Sequence, residues 1–310
     1  MAWGMMIIVI GSLLGSLFVF RVASVALELF SPGRSSLGAI DYLIHEFASG
    51  VWGAALIWTG VGCCRVRRWV APLVFAESAT LALLNVSLLA RFLNMMMYPS
   101  SFYFSPQIPI ELLLCFGLPA AACVYFSRRN VRGALTTNDP HWDPSRSGED
   151  YLHAWSAGCL LFGLTNAMTG ISILRYTMPL VSLFLWLNIV LVAAGVICYR
   201  KINIGWVGTV LILGVLLIIH AVAFADSLGL HTGILPSSTN FTPGIRRAGT
   251  PIAVHVGLAQ LSGSWWISRA IGLLRLLMYV GALCVGVYVG RVVWPVSSHH
   301  PPTLLSEDVE

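Results

Sequence analysis

Ionisable side chains are scarce in this sequence, and the few present stand where a bilayer would make them costly. Asp41 and His45 are four residues apart, with Glu46 beside them, and Glu77, Glu111, His220, Asp226 and Arg275 lie within or at the edges of apolar runs. A charge at the centre of a bilayer costs at least about 2.5–3.5 kcal/mol, so such residues default to handling protons, ions or ligands. Residues four apart on a helix share a face, and a carboxylate–His pair placed so can pass protons. An imidazole can also hold a haem iron. His45 and His220 are therefore the candidate cofactor-binding residues. Asp41, Glu46, Glu77, Glu111, Asp226 and Arg275 are the candidate proton or ion-pair groups. An ion pair of Arg275 with Glu77 or Glu111 is expected. No residue is assigned a catalytic role, and no metal site is expected.

The composition names the solvent around these groups. Of 310 residues, 57% are hydrophobic and only 10% are charged, whereas soluble domains carry about 25% charged residues. Mean hydropathy is +0.81. A soluble enzyme, a nucleic-acid binder, a coiled coil and a disordered chain are excluded. The net charge of +5 is no nucleic-acid footprint, because the basic residues are scattered over short polar joints. Lys201 is the lone lysine, which rules out an intramembrane Lys. The seven cysteines form no CxxC and read as small buried hydrophobes. Nucleotide-binding glycine loops, HExxH, Gly-x-Ser-x-Gly and His boxes are all missing.

The elements that must position the ionisable groups are membrane helices. About 20 mainly apolar residues cross a bilayer, and eight runs qualify: 5–27, 39–62, 69–91, 109–127, 153–174, 178–199, 204–225 and 270–293. The fold class is an all-α integral membrane protein of about eight transmembrane helices in two four-helix halves, plus a short outer interfacial helix. The halves are 1–127 and 153–294, separated by an inner polar loop at 128–152. The second half contains an outer loop at 226–269, and 295–310 is an inner tail. Arg65, Arg67, Arg68, Arg128, Arg129, Arg132, Arg146, Arg200, Lys201 and Arg291 mark one side. By the positive-inside rule that side is cytoplasm or mitochondrial matrix, and it holds both termini. Asp41, His45, Glu46, Glu111, His220 and Asp226 then gather toward the outer rim, with Glu77 and Arg275 deeper. The paired Trp265 and Trp266 suit the outer interface.

Two joints look alike. Gly60-Val61-Gly62-Cys63-Cys64-Arg65 precedes Trp69-Val70, and Gly195-Val196-Ile197-Cys198-Tyr199-Arg200 precedes Trp206-Val207. Both fall between the second and third helix of a half, so a duplicated unit is expected. Small residues at Gly11 and Gly15, Gly158 and Gly163, and Gly286 and Gly290 favour close helix contacts. Asn85, Asn166 and Asn188 are expected to bond between helices.

Short stretches resemble two families. Eight helices in two halves with Asp41 and His45 at the outer end of helix 2 resemble haem A synthase. That resemblance implies haem at outer His residues, but helix 4 offers Glu111, helix 6 offers no His, and only His255 precedes helix 8. Glu77 with Pro106-Gln107-Ile108-Pro109 resembles cytochrome oxidase subunit III, whose other His and Glu residues are missing here.

Three functions follow, in order. The first is a structural or proton-handling subunit of a larger energy-transducing or respiratory membrane complex. The second is a membrane oxidoreductase holding haem or quinone. The third is a small-solute transporter built on the repeat. Lipids and other membrane subunits are the expected partners, and nucleic acid is not. The expected membrane is the mitochondrial inner membrane or a bacterial plasma membrane.

Overall fold

The computed structural model describes residues 2–29, 36–97, 107–139, 147–173, 179–228 and 265–294. Among these residues it is helical throughout, with no strand. The helices are α1 (Ala2–Leu29), α2 (Ser36–Cys64), α3 (Val70–Met97), α4 (Gln107–Leu112), α5 (Leu118–Ser127), α6 (Arg129–Thr137), α7 (Ser147–Ile173), α8 (Pro179–Tyr199), α9 (Asn203–Ser227) and α10 (Trp265–Val293). A five-residue π-helical stretch, Leu113–Gly117, joins α4 to α5. Five segments are long and apolar enough to cross a membrane: Ala2–Leu27, Phe47–Cys64, Ile108–Ser127, Asn203–Val222 and Arg269–Val293. This is compatible with an integral membrane protein. On α1, Met5, Val9 and Leu13 stand exposed at four-residue intervals, one apolar stripe turned away from the protein.

Helix α1 lies along α2, while α7, α8, α9 and α10 pack in sequence and close on themselves through α7 and α10. Helix α3 joins the two groups, touching α5, α7 and α10. Two seams share one geometry. A Cβ on Gly11 would lie 2.8 Å from both the Gly53 carbonyl oxygen and the Ile57 nitrogen, and one on Gly163 would lie 3.0 Å from the Asn188 oxygen and 3.3 Å from the Val192 nitrogen. One turn or two further along, Gly60 faces Gly4 and Ile8, and Gly195 faces Ser156 and Leu160. These contacts between α1 and α2 thus have counterparts between α7 and α8.

The joints that follow also match. After α2, Arg67 N–H donates to the Gly62 carbonyl at 2.9 Å and Val66 N–H to Cys63 at 3.1 Å. After α8, Ile202 N–H donates to Ile197 at 3.4 Å and Lys201 N–H to Cys198 at 2.8 Å. Both are helix stops of the Schellman kind, which need a left-handed residue. Val66 (φ 55°) and Lys201 (φ 62°) supply it. Neither is glycine, and a β-branched valine there is strained.

The stretch 128–152 is not simply a loop. Arg128 turns extended (φ −64°, ψ 134°) and ends α5, after which α6 begins. Val131 and Leu135 are four apart and pack with Val70, Val74, Ala122 and Phe126. That contact holds α6 flat against the arginine-rich end. Helix α7 starts at Ser147, with Glu149 and Asp150 in its first turn, where the helix dipole favours acid. Trp265 and Trp266 open α10; the expected short interfacial helix before them falls on residues outside those described. The rest of the expected outer loop, 229–264, and the tail 295–310 lie outside the described residues.

Ion pairs fasten the arginine-rich end. Arg67 Nη1 meets Asp139 Oδ1 at 3.1 Å, and the other Asp139 oxygen accepts the Arg68 backbone N–H at 3.1 Å. The Arg68 side chain pairs with Asp150, and Lys201 with Glu149 at 2.6 Å. Arg132 donates to the Phe126 carbonyl at 3.3 Å and lies over the Phe75 ring.

Candidate functional site: a cavity between two helix groups

A cavity of about 580 Å³ lies between the two helix groups. Its wall takes residues from α1, α2, α3, α5, α7, α9 and α10, and from the π-helical stretch. Along α3 it runs from Val74 to Asn85, roughly 16 Å at 1.5 Å per residue. Most of the lining is apolar, with Trp52, Leu56, Leu84 and Phe162 prominent. Ligand sites of this size, largely apolar with a few placed polar groups, are the common kind.

Three of the ionisable residues singled out above meet on this wall: Glu77, His220 and Arg275. Each is buried, with relative exposures of 5%, 2% and 4%. Glu77, on α3, accepts a hydrogen bond from Thr59 Oγ1 of α2 at 2.7 Å. Among the described residues no ion pair joins Glu77 to Arg275. Sequence position gives depth along a helix, but not the direction a side chain takes around it.

His220, on α9, has Nδ1 2.7 Å from the Leu216 carbonyl of its own helix. A carbonyl only accepts, so Nδ1 carries the proton and Nε2 is left as the acceptor or ligand atom. The imidazole lies against the Tyr279 ring, centroids 4.6 Å apart, and Tyr279 meets Phe162 edge-on at 5.9 Å. Arg275 and Tyr279 are four apart on α10, so they share a face. Both line the cavity. Tyr279 was not singled out from the sequence, although its spacing from Arg275 was a usable signal.

The other candidates lie elsewhere. Glu111 is half-buried on α4 and is not part of the cavity wall. The side chains of Asp41, His45, Glu46 and Asp226 lie outside the described residues. Among the described residues no three His, Cys, Asp or Glu side chains are grouped to hold a metal.

Polar contacts between helices come from an unexpected source. Asn85 Nδ2 donates to Leu81 and Asn188 Nδ2 to Phe184, each within its own helix. A short amide reaches back to its own i−4 carbonyl more readily than across to a neighbour. Beside the Thr59–Glu77 bond, three bridges are built by indoles. Trp52 donates to Thr165 at 3.2 Å, Trp155 to Thr209 at 2.9 Å, and Trp206 to the Gly286 carbonyl at 2.7 Å. Gly286 and Gly290 leave room for the Trp155 and Trp206 rings, rather than for another helix backbone.

The π-helical stretch contributes Leu114 and Cys115 to the cavity wall. Single π turns inside α-helices occur often at functional sites.

No protein-family model, curated protein or solved structure matches this chain.

Proposed function

We propose that this chain is an integral membrane carrier of two four-helix halves that takes up a small amphipathic molecule in the cavity between them. The halves are α1–α5 and α7–α10, giving eight spans with both termini on the arginine-rich, inner side. The carrying observation is the cavity itself, walled by helices of both halves and holding Glu77, His220 and Arg275. Carriers built from internal repeats place their site at the repeat interface near mid-membrane. The matched glycine contacts and the matched left-handed joints support such a duplication. The test uses Ser78→Cys, at a lining residue, in a background without the natural cysteines. A carrier exposes the introduced thiol to an impermeant maleimide from each side of oriented vesicles in turn. Labelling confined to one side, or absent, sinks the proposal.

A redox reading is second, and His220 favours it. Its Nδ1–H is fixed by Leu216, which leaves Nε2 for a haem iron or a quinol proton. A reduced-minus-oxidised spectrum with a Soret shift, lost in His220→Ala, would replace the carrier reading. Membership of a larger respiratory assembly is tested by the native mass of the particle in mild detergent.

A further inference from the structure

We infer that the molecule taken up carries a single acidic head on an apolar body, with the head against Arg275 and the body along the wall of α1, α2 and α3. The inference rests on the cavity reading above and names the ligand class for that site.

The cavity has two ionisable poles on different walls. Arg275 is on α10, four residues before Tyr279 and beside the His220 ring, and all three are buried on the cavity wall. A guanidinium keeps its charge under all ordinary conditions, and its planar donors match a carboxylate in bidentate fashion. Tyr279 adds a hydroxyl on the same face. His220 is already committed through Nδ1 to Leu216, so toward the cavity it offers Nε2, an acceptor for the proton of an undissociated acid. This wall therefore accommodates an acid in either protonation state.

The Glu77 carboxyl, on α3, selects against other heads. Glu77 is held by Thr59 and directed at α2, and it is not engaged by Arg275. A second carboxylate beside it would meet a like group in a low-dielectric space, which is costly. A monoacid is therefore favoured over a diacid. Leu14, Trp52, Leu56, Leu81 and Leu84 add an apolar surface to the same wall. It suits a hydrocarbon chain or ring and offers a long polar solute few partners.

The experiment compares three probes of equal chain length: decanoate, decanol and decylammonium. Binding to the full chain in lipid nanodiscs is read by equilibrium dialysis, with empty nanodiscs subtracted. Saturable binding of decanoate is expected, at least about tenfold tighter than decanol, a difference of ~1.4 kcal/mol. Arg275→Gln should abolish that preference, and Glu77→Gln should leave it or strengthen it. Tyr279→Phe, a milder change, should lower decanoate affinity about threefold with decanol binding unchanged, and it keeps the test open if Arg275→Gln fails to fold. Equal binding of decanol and decanoate overturns the inference. So does tighter binding of decylammonium that is lost in Glu77→Gln. Binding of none of the three overturns it together with the cavity reading. Decanoate binding with one-sided labelling of the Ser78→Cys variant supports the acidic head while removing the carrier function.

Discussion

The seams α1–α2 and α7–α8 use the same contacts at different closeness. The first has glycine on both helices, at Gly4, Gly11, Gly53 and Gly60; the second has Ser156 and Asn188 where the first has Gly4 and Gly53. The nearest backbone atom to an added Cβ would lie at 2.8–3.0 Å in the first seam and at 3.0–3.5 Å in the second. Neighbours account for the difference. Helix α1 packs chiefly on α2, with a face of exposed apolar side chains beyond it. Helix α7 must also meet α2, α3 and α10. A helix with one main partner can give its whole inner face to glycine. A helix with four needs side chains to fill several interfaces, and it takes some of its hold from hydrogen bonds such as Trp155 to Thr209.

Substitutions can break this comparison in order of size. Gly11→Leu should have the largest effect, about 3 kcal/mol or more, because α2 backbone cannot yield to it. Loss of the monodisperse peak in size-exclusion chromatography would show this, and a normal peak with unchanged Tm would refute the tight seam. Asp139→Ala should cost about 2 kcal/mol by removing two bonds to the α2–α3 joint. Faster amide exchange confined to α6 and that joint is the expected signature, and unchanged exchange there contradicts it. Trp155→Phe should cost about 1 kcal/mol through its bond to Thr209. Trp3 stands at the matching place on α1 and packs against Tyr125, so Trp3→Phe should cost less. Equal Tm losses would erase that distinction. Gly163→Ala should cost about 1 kcal/mol or less, well below Gly11→Ala, and the reverse order in Tm would overturn the ranking. Glu149→Gln should move stability least, less than about 1 kcal/mol, since the Lys201 side chain is 44% exposed.

The helical character was legible because apolar runs of about 20 residues leave little alternative. The likeness of the two joints was legible too, since Gly60 and Gly195 head matching segments. Glu77, His220 and Arg275 stood out by chemical type. Their meeting on one cavity did not, because the rotation of α3, α9 and α10 about their axes depends on packing that no single segment encodes. Helix α6 was hidden by its polar composition, where only Val131 and Leu135 carry the amphipathic signal. The cavity was hidden for another reason: its volume is what neighbouring side chains fail to fill, and no residue announces that.

The π-helical stretch Leu113–Gly117 makes part of the cavity wall adjustable in register. A π turn holds one residue more than the α-helix around it, and one residue corresponds to about 100° of rotation. Passing that residue along the chain turns Leu114 or Cys115 away from the cavity and brings a neighbour in. The helix ends need not move. Such a local screw motion would change which side chains the wall shows without disturbing the glycine-packed pairs α1–α2 and α7–α8.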